Sequence, residues 1–246
     1  MDQVQTAMLA GVRFVAFFLI APPFAHRGIP GAVKAMLSVG LALAVLPRLE
    51  LTSTTSTGGF VGALVLEAVV GAALGFLVFL VFSAVQAAGN LIDLFGGFQL
   101  AQAFDPQNQT SGAQFARLYN WTCLVLLFVS GAYQMLVAGL ARSFDAVPVG
   151  AGLDLAAMGS AVTSGLTDMF VASLQIAGPL LVVLFLTDVG LGLLTRVSPA
   201  LNAFAMGFPL KILMTLTFVG FAYLALPGVV GDLTDRAVEA MLGTAS

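Results

Sequence analysis

The sequence predicts an all-α, polytopic membrane protein with about six long apolar helices, and three observations predict it. Of its 246 residues, 59% are hydrophobic and 9% charged, and the mean hydropathy is +1.04. Soluble domains carry roughly 25% charged residues, so this chain cannot cover itself with a water-compatible surface. The apolar residues also gather into segments near the ~20 residues that a helix needs to cross the hydrocarbon core. Between them lie clusters of Pro, Gly and polar residues, which end helices. Composition sets exclusions as well. One Cys and one His leave no internal disulfide and no Cys/His metal set. A net charge of −3 without a basic run gives no footing for nucleic acid. No cofactor is expected.

The first segment, about residues 7–25, follows MDQVQTAMLAG. With Asp2 and no basic residue before Arg13, it lacks the basic start of a signal peptide and reads as a retained helix. APPFAHRGIP separates it from a second segment at about 31–46, and PRLELTSTTSTGG from a third at about 60–88. The third is long for one crossing. Its continuation GNLIDLFGGFQLAQAF mixes Asn90, Asp93, Gln99 and Gln102 with apolar residues, a pattern that belongs against protein or water. Gly96-Gly97 is the natural break in it. After DPQNQTSG come segments at about 119–141 and, beyond SFDAVPVGAG, at about 169–195 and 209–231.

Charges inside apolar runs are the sites to explain. Lys34 and Lys211 read as snorkelling side chains at helix ends. Arg13 and Glu67 call for a partner on a neighbouring helix or subunit, because a charge at the bilayer centre costs roughly 2.5–3.5 kcal/mol on insertion scales. Asp188 and Arg196 stand eight residues apart, about 12 Å of rise and roughly 80° of turn, so they cannot pair with each other. Gly71 and Gly75 form a GxxxG face for close backbone approach, and Gly178-Pro179 interrupts the fifth segment. Phosphate-loop, HExxH and GxSxG motifs are absent, which argues against an enzyme. His26 reads as a solvated loop residue and Cys123 as a small packing residue.

Lys and Arg near the segment ends set an orientation. Arg27, Lys34, Arg117, Arg196 and Lys211 fall on one side, and Arg48, Arg142 and Arg236 on the other. That balance expects a periplasmic N-terminus with the first, third and fifth connections in the cytoplasm.

Four stretches then carry a resemblance. TDVGLGLLTRVSPALNAFAMGFPLK (187–211), PPFAHRGIPGAVKAMLSVGLAL (22–43), AVQAAGNLIDLFGGFQLAQAFDPQNQ (84–109) and FARLYNWTCLVLLF (115–128) resemble, in order and spacing, the flagellar FliR family and its counterparts in virulence type III secretion. The likeness covers nearly the whole chain and is weakest in the connections, such as 50–59.

The resemblance implies a non-enzymatic subunit of the export gate at the flagellar basal body in the bacterial inner membrane. Its implied partners are FliP-, FliQ- and FlhB-like subunits, and its implied substrates are unfolded secreted proteins. It divides the chain into a FliP-like part, 1–168, and a FliQ-like helical hairpin with a C-terminal tail, 169–246. It also implies a pore plug at Phe104, Asp105, Pro106, Gln107, Asn108, Gln109, Thr110, Ser111 and Gly112, within the connection 104–117. Phe204 and Met206, in NAFAMGFP between the two FliQ-like helices, are candidates for a constriction. Arg13, Glu67, Asp188 and Arg196 are expected to contact adjacent subunits. A secondary transporter or other multi-span carrier is the alternative: it explains intramembrane charges equally well but predicts paired discontinuous helices, of which only LEAVVGAALGF and LTDVGLGLL give a faint hint.

Overall fold

Helix is the only regular structure among the described residues of the computed structural model, which are 2–49, 56–98, 114–150, 155–198 and 203–243. In order they form α1 (Asp2–Ile20), α2 (Gly31–Val45), a 3-10 turn (Leu46–Arg48), α3 (Thr57–Phe95), α4 (Gln114–Val129), α5 (Ala132–Ala146), α6 (Leu155–Val197) and α7 (Ala203–Gly243). Five helices, with the 3-10 turn counted into the second, are long and apolar enough to cross a membrane; α4 and α5, bent by 75° at their junction, make a sixth candidate if taken together. The all-helical, multi-span class predicted from composition is therefore the observed one.

The segment boundaries differ in an instructive way. α3, α6 and α7 contain 39, 43 and 41 residues. At 1.5 Å per residue the longest is about 65 Å, roughly twice the ~30 Å hydrocarbon core. Apolar windows mark where a helix meets hydrocarbon or protein, whereas the backbone ladder continues through polar turns at either end. Pro179 lies inside α6, and Pro209 and Pro227 lie inside α7. The segment expected at 119–141 is two helices. Gly131, at φ +76°, breaks it in a left-handed conformation that glycine adopts without penalty, and the Ala132 N–H donates to Ser130 Oγ at 3.3 Å.

The chain divides into two compact units. One comprises residues 1–82, 127–167 and 231–246. Its core starts from α1, where Leu9, Ala10, Phe14, Phe17 and Phe18 are fully buried at helical spacing. Phe14 packs on Phe144 of α5 with ring centroids 5.6 Å apart, and Phe18 on Phe24 at 4.7 Å. α5 contributes the stripe Leu136, Gly139, Leu140 and Ser143. Leu233, Ala237 and Met241, four residues apart on α7, are buried in the same unit. α1 crosses α3 over the GxxxG face. A Cβ on Gly71 would stand 2.2 Å from the Arg13 carbonyl oxygen, and one on Gly75 would stand 3.1 Å from that of Phe17. At Gly71 only glycine permits this approach, and at Gly75 a methyl group would make its neighbours give by a few tenths of an ångström.

The other unit comprises residues 83–126 and 168–230. Here the end of α3 meets the start of α4 so closely that a Cβ on Gly89 would lie 2.4 Å from Ala116 Cα. Tyr119 of α4 and Tyr223 of α7 meet edge to face at 6.3 Å, and the Tyr223 hydroxyl is hydrogen-bonded to Thr122 Oγ1.

Candidate functional site

The buried charges are resolved first by the unit around α1. Arg13 Nε donates to Glu67 Oε2 at 2.6 Å, and the two side chains are 0% and 2% exposed. Arg13 Nη1 points to Ser143 O at 3.4 Å, while its guanidinium carbon stands 4.1 Å from the centroid of the Phe144 ring. The remaining nitrogen, Nη2, has no hydrogen-bond partner among the described residues; the cation lies over the aromatic face instead. Glu67 Oε1 accepts the N–H of Gly150, at 2.9 Å. One ion pair thus ties α1, α3, α5 and the residues after α5 together.

This corrects the expectation that Arg13 and Glu67 meet an adjacent subunit. Both are enclosed by their own chain, and of the two partners considered, the neighbouring helix supplies the one observed. Nothing local in the sequence marks Ser143, Phe144 or Gly150 as part of this cluster. Ser143 reaches Arg13 across 130 residues of chain and Gly150 reaches Glu67 across 83, so their role exists only in the folded state.

A second buried carboxylate organises the other unit. Asp93, in the last turn of α3, is fully buried. Its Oδ1 accepts the Phe115 N–H at 3.0 Å and its Oδ2 the Ala116 N–H at 2.9 Å. These belong to the first turn of α4, whose N–H groups have no partner within their own helix. Phe98 and Phe115 meet edge to face at 5.0 Å. The break expected at Gly96-Gly97 is where α3 ends, with Gly97 at φ +82°. The sequence marks Asp93 as too polar for lipid; that it caps a helix 22 residues onward is not legible there. The plug residues 104–112 lie outside the described residues, but both flanks of that connection are held at this stem.

The hairpin charges pair within the chain. Lys211 Nζ stands 2.7 Å from Asp188 Oδ1, with the side chains 24% and 47% exposed. Lys211 is therefore an ion-pair partner of Asp188 within the chain and not a snorkelling end residue, and Asp188 keeps nearly half of its side chain exposed beside it. Arg196 is exposed in the last turn of α6. Phe204 and Met206 fall in the first turn of α7 and not in the connection before it; Met206 is exposed. The side chain of Phe204 lies outside the described residues. Cys123 is buried, as a packing residue would be, and His26 Nδ1 accepts the Gly28 N–H at 3.0 Å.

What this arrangement offers is packing and charge neutralisation, with two buried carboxylates used as structural acceptors. The family described as Bacterial export proteins, family 1 matches residues 4–237. The chain is 27% identical over 249 residues to the Flagellar biosynthetic protein FliR of Bacillus subtilis (strain 168), covering 98% of this chain and 94% of that protein. It is 32% identical over 220 residues to the FliR of Pectobacterium carotovorum subsp. carotovorum, covering 88% and 83%. It is also 27% identical over 210 residues to the Yop proteins translocation protein T of Yersinia pestis, covering 81% and 78%. The chain thus belongs to the family of bacterial export proteins that includes flagellar FliR and its type III counterparts, as a multi-pass, non-enzymatic membrane protein of the export apparatus.

Proposed function

We propose that the chain is a structural channel subunit of the flagellar type III protein export gate. With FliP- and FliQ-like subunits, and in contact with an FlhB-like one, it forms the inner-membrane pore through which unfolded flagellar substrates pass. The observation that carries this reading is the family match over nearly the whole chain, residues 4–237. Two structural features support it. Helices about twice as long as a bilayer is thick need lateral partners beyond lipid. The stem at Asp93 holds both flanks of a polar connection, the arrangement a plug requires.

In this reading residues 1–168 form the FliP-like part and 169–246 the FliQ-like hairpin. The N-terminus is periplasmic, and residues 104–112 plug the resting channel. Gln107, Asn108, Gln109, Thr110, Ser111 and Gly112 suit a plug because they are polar and uncharged, so they fill a wet pore and yield to a passing chain at small cost. Met206, exposed at the start of α7, together with Phe204, lines the constriction. Asp188, half-exposed beside Lys211, and Arg196 face adjacent subunits.

Affinity purification of the tagged chain from native membranes in mild detergent tests the assignment. A channel subunit elutes in a stable complex with FliP- and FliQ-like chains. A protein that elutes alone and binds a small solute is the carrier of the alternative reading.

A further inference from the structure

We infer that the crevice between α1 and α2 binds one anionic phospholipid: an acyl chain lies along the crevice, and the phosphate meets Arg27 and Lys34 at the end where the two helices are joined. The inference goes beyond the channel reading and does not depend on it.

The dimensions select the occupant. The crevice has a volume of about 530 Å³ and, apart from Gln3 at one end, an entirely apolar lining. Gly11 and Ala42 make its floor: a Cβ on Gly11 would stand 3.8 Å from that of Ala42. Met8, Val12, Val39 and Leu43 make its walls. From Val4 to Val15 it runs about 16 Å along α1, roughly half of the ~30 Å hydrocarbon core. Its volume over that length makes it about 6 Å across, which admits one hydrocarbon chain; a helix with its side chains is about 10–12 Å across. A partner helix can lie over the crevice but cannot fill it. Only Ser38 and Ala42 of α2 are buried, so a seated chain adds packing to a helix that has little.

Charge selects the head group. Between Asp2 and Glu50 the chain has no acidic residue, and of its four cations there only Arg13 is buried and paired. Lys34 lies in the first turn of α2, next to the lining residue Ala35, and Arg27 lies in the connection that joins the helices at this end. Neither forms an ion pair among the described residues. Both side chains are long enough to carry their charge to the head-group level while their stems stay on apolar surface. Basic residues between membrane helices attract anionic head groups in this way. The opposite end carries both signs, Asp2 just before Gln3 and Arg48 shortly after Leu46, so it gives an anion no comparable preference. Apolar crevice and acid-free cationic end together describe one amphiphile, an anionic lipid of a single leaflet.

The test reconstitutes the full chain, in whatever complex it purifies with, into phosphatidylcholine vesicles. These contain a trace of phosphatidylglycerol or of phosphatidylcholine that carries a photoreactive diazirine at mid-chain. Labelled residues are read by mass spectrometry at Met8, Val39 and Leu43, with Leu37 of α2, exposed but outside the crevice, as the control. Two surface cations predict that the phosphatidylglycerol probe labels the crevice residues about 10- to 30-fold more than the phosphatidylcholine probe, and Leu37 equally with both. Val39→Trp, which fills the crevice, should abolish the preferential labelling of Met8. Arg27→Gln with Lys34→Gln should leave crevice labelling but remove the preference between the probes. Equal labelling by both probes in the wild type means ordinary surrounding lipid and overturns the inference. No labelling of the crevice by either probe means that protein covers it, and also overturns it. Preferential labelling of Met8 that survives Val39→Trp places the chain elsewhere and overturns it too. If Val39→Trp does not assemble, the double glutamine variant decides: loss of the preference supports the site, and a preference equal to wild type overturns it.

Discussion

Arg13 and Glu67 meet at 2.6 Å inside the protein, on α1 and α3, and the residue that supplies the cation also supplies the tightest backbone contact. One turn beyond Glu67, Gly71 faces the carbonyl oxygen of the same Arg13. Charge and close packing thus act on one crossing point. The carboxylate and guanidinium are neutralised where the helices are too close for water to enter, and further bonds from Gly150 and to Ser143 use part of their remaining capacity.

Breaking this pair from one side is more damaging than removing it. Arg13→Leu or Glu67→Leu alone leaves an uncompensated buried charge and should cost about 3–5 kcal/mol, whereas the double replacement should recover much of that loss. Thermal denaturation of the purified complex, read against membrane levels of the chain, gives the comparison. Single variants as stable as wild type would show that the pair carries no such role.

The crossing predicts a graded glycine series. Gly71→Ala places a methyl group 2.2 Å from a backbone oxygen and should destabilise by about 1–3 kcal/mol. Gly75→Ala meets its first neighbour at 3.1 Å and should cost less. Gly62→Ala, with nothing within 4 Å, should be neutral or stabilising by up to about 1 kcal/mol through helix propensity. Melting temperatures in the order Gly62→Ala, Gly75→Ala, Gly71→Ala, highest first, are the expected result; an inverted order contradicts the contact.

Orientation is tested by labelling. In a Cys123→Ser background, cysteines at Gly31 and Ser56 sit on exposed positions in the first and second connections or at their edges. The proposed topology has Gly31→Cys protected from an impermeant reagent added outside the inner membrane and Ser56→Cys modified by it. The opposite pattern reverses the chain.

Asp188 separates internal from external roles. Its ion pair with Lys211 is partly exposed, and such pairs contribute only about 0–1 kcal/mol to stability. Asp188→Leu should therefore leave insertion nearly unchanged while reducing the FliP- and FliQ-like chains that co-purify. A mutant complex of normal yield and composition would remove Asp188 from the subunit contacts.

The all-helical membrane class is legible in the sequence because hydropathy is a property of whole segments, and two local signals, Gly96-Gly97 and the Gly71/Gly75 face, mark where α3 ends and where it is crossed. Helix ends are less legible. Apolar length reports burial in hydrocarbon or protein, and α6 and α7 extend past it as continuous helices that run through internal prolines. Partners of buried charges are hidden for a different reason. Arg13 needs Glu67 from 54 residues away and Asp93 needs two amides of another helix, relations that no local spacing encodes. Lys211 misleads because its position near the edge of an apolar window looks like a helix end, when α7 begins eight residues earlier.

The central claim, a channel for unfolded chains, is tested most directly by placing a photocrosslinking amino acid at Gln107 in cells that carry an export substrate arrested during passage. The account predicts a crosslink between position 107 and the arrested substrate, absent when no substrate is expressed. An assembled gate in which position 107 never reaches the arrested chain would contradict it.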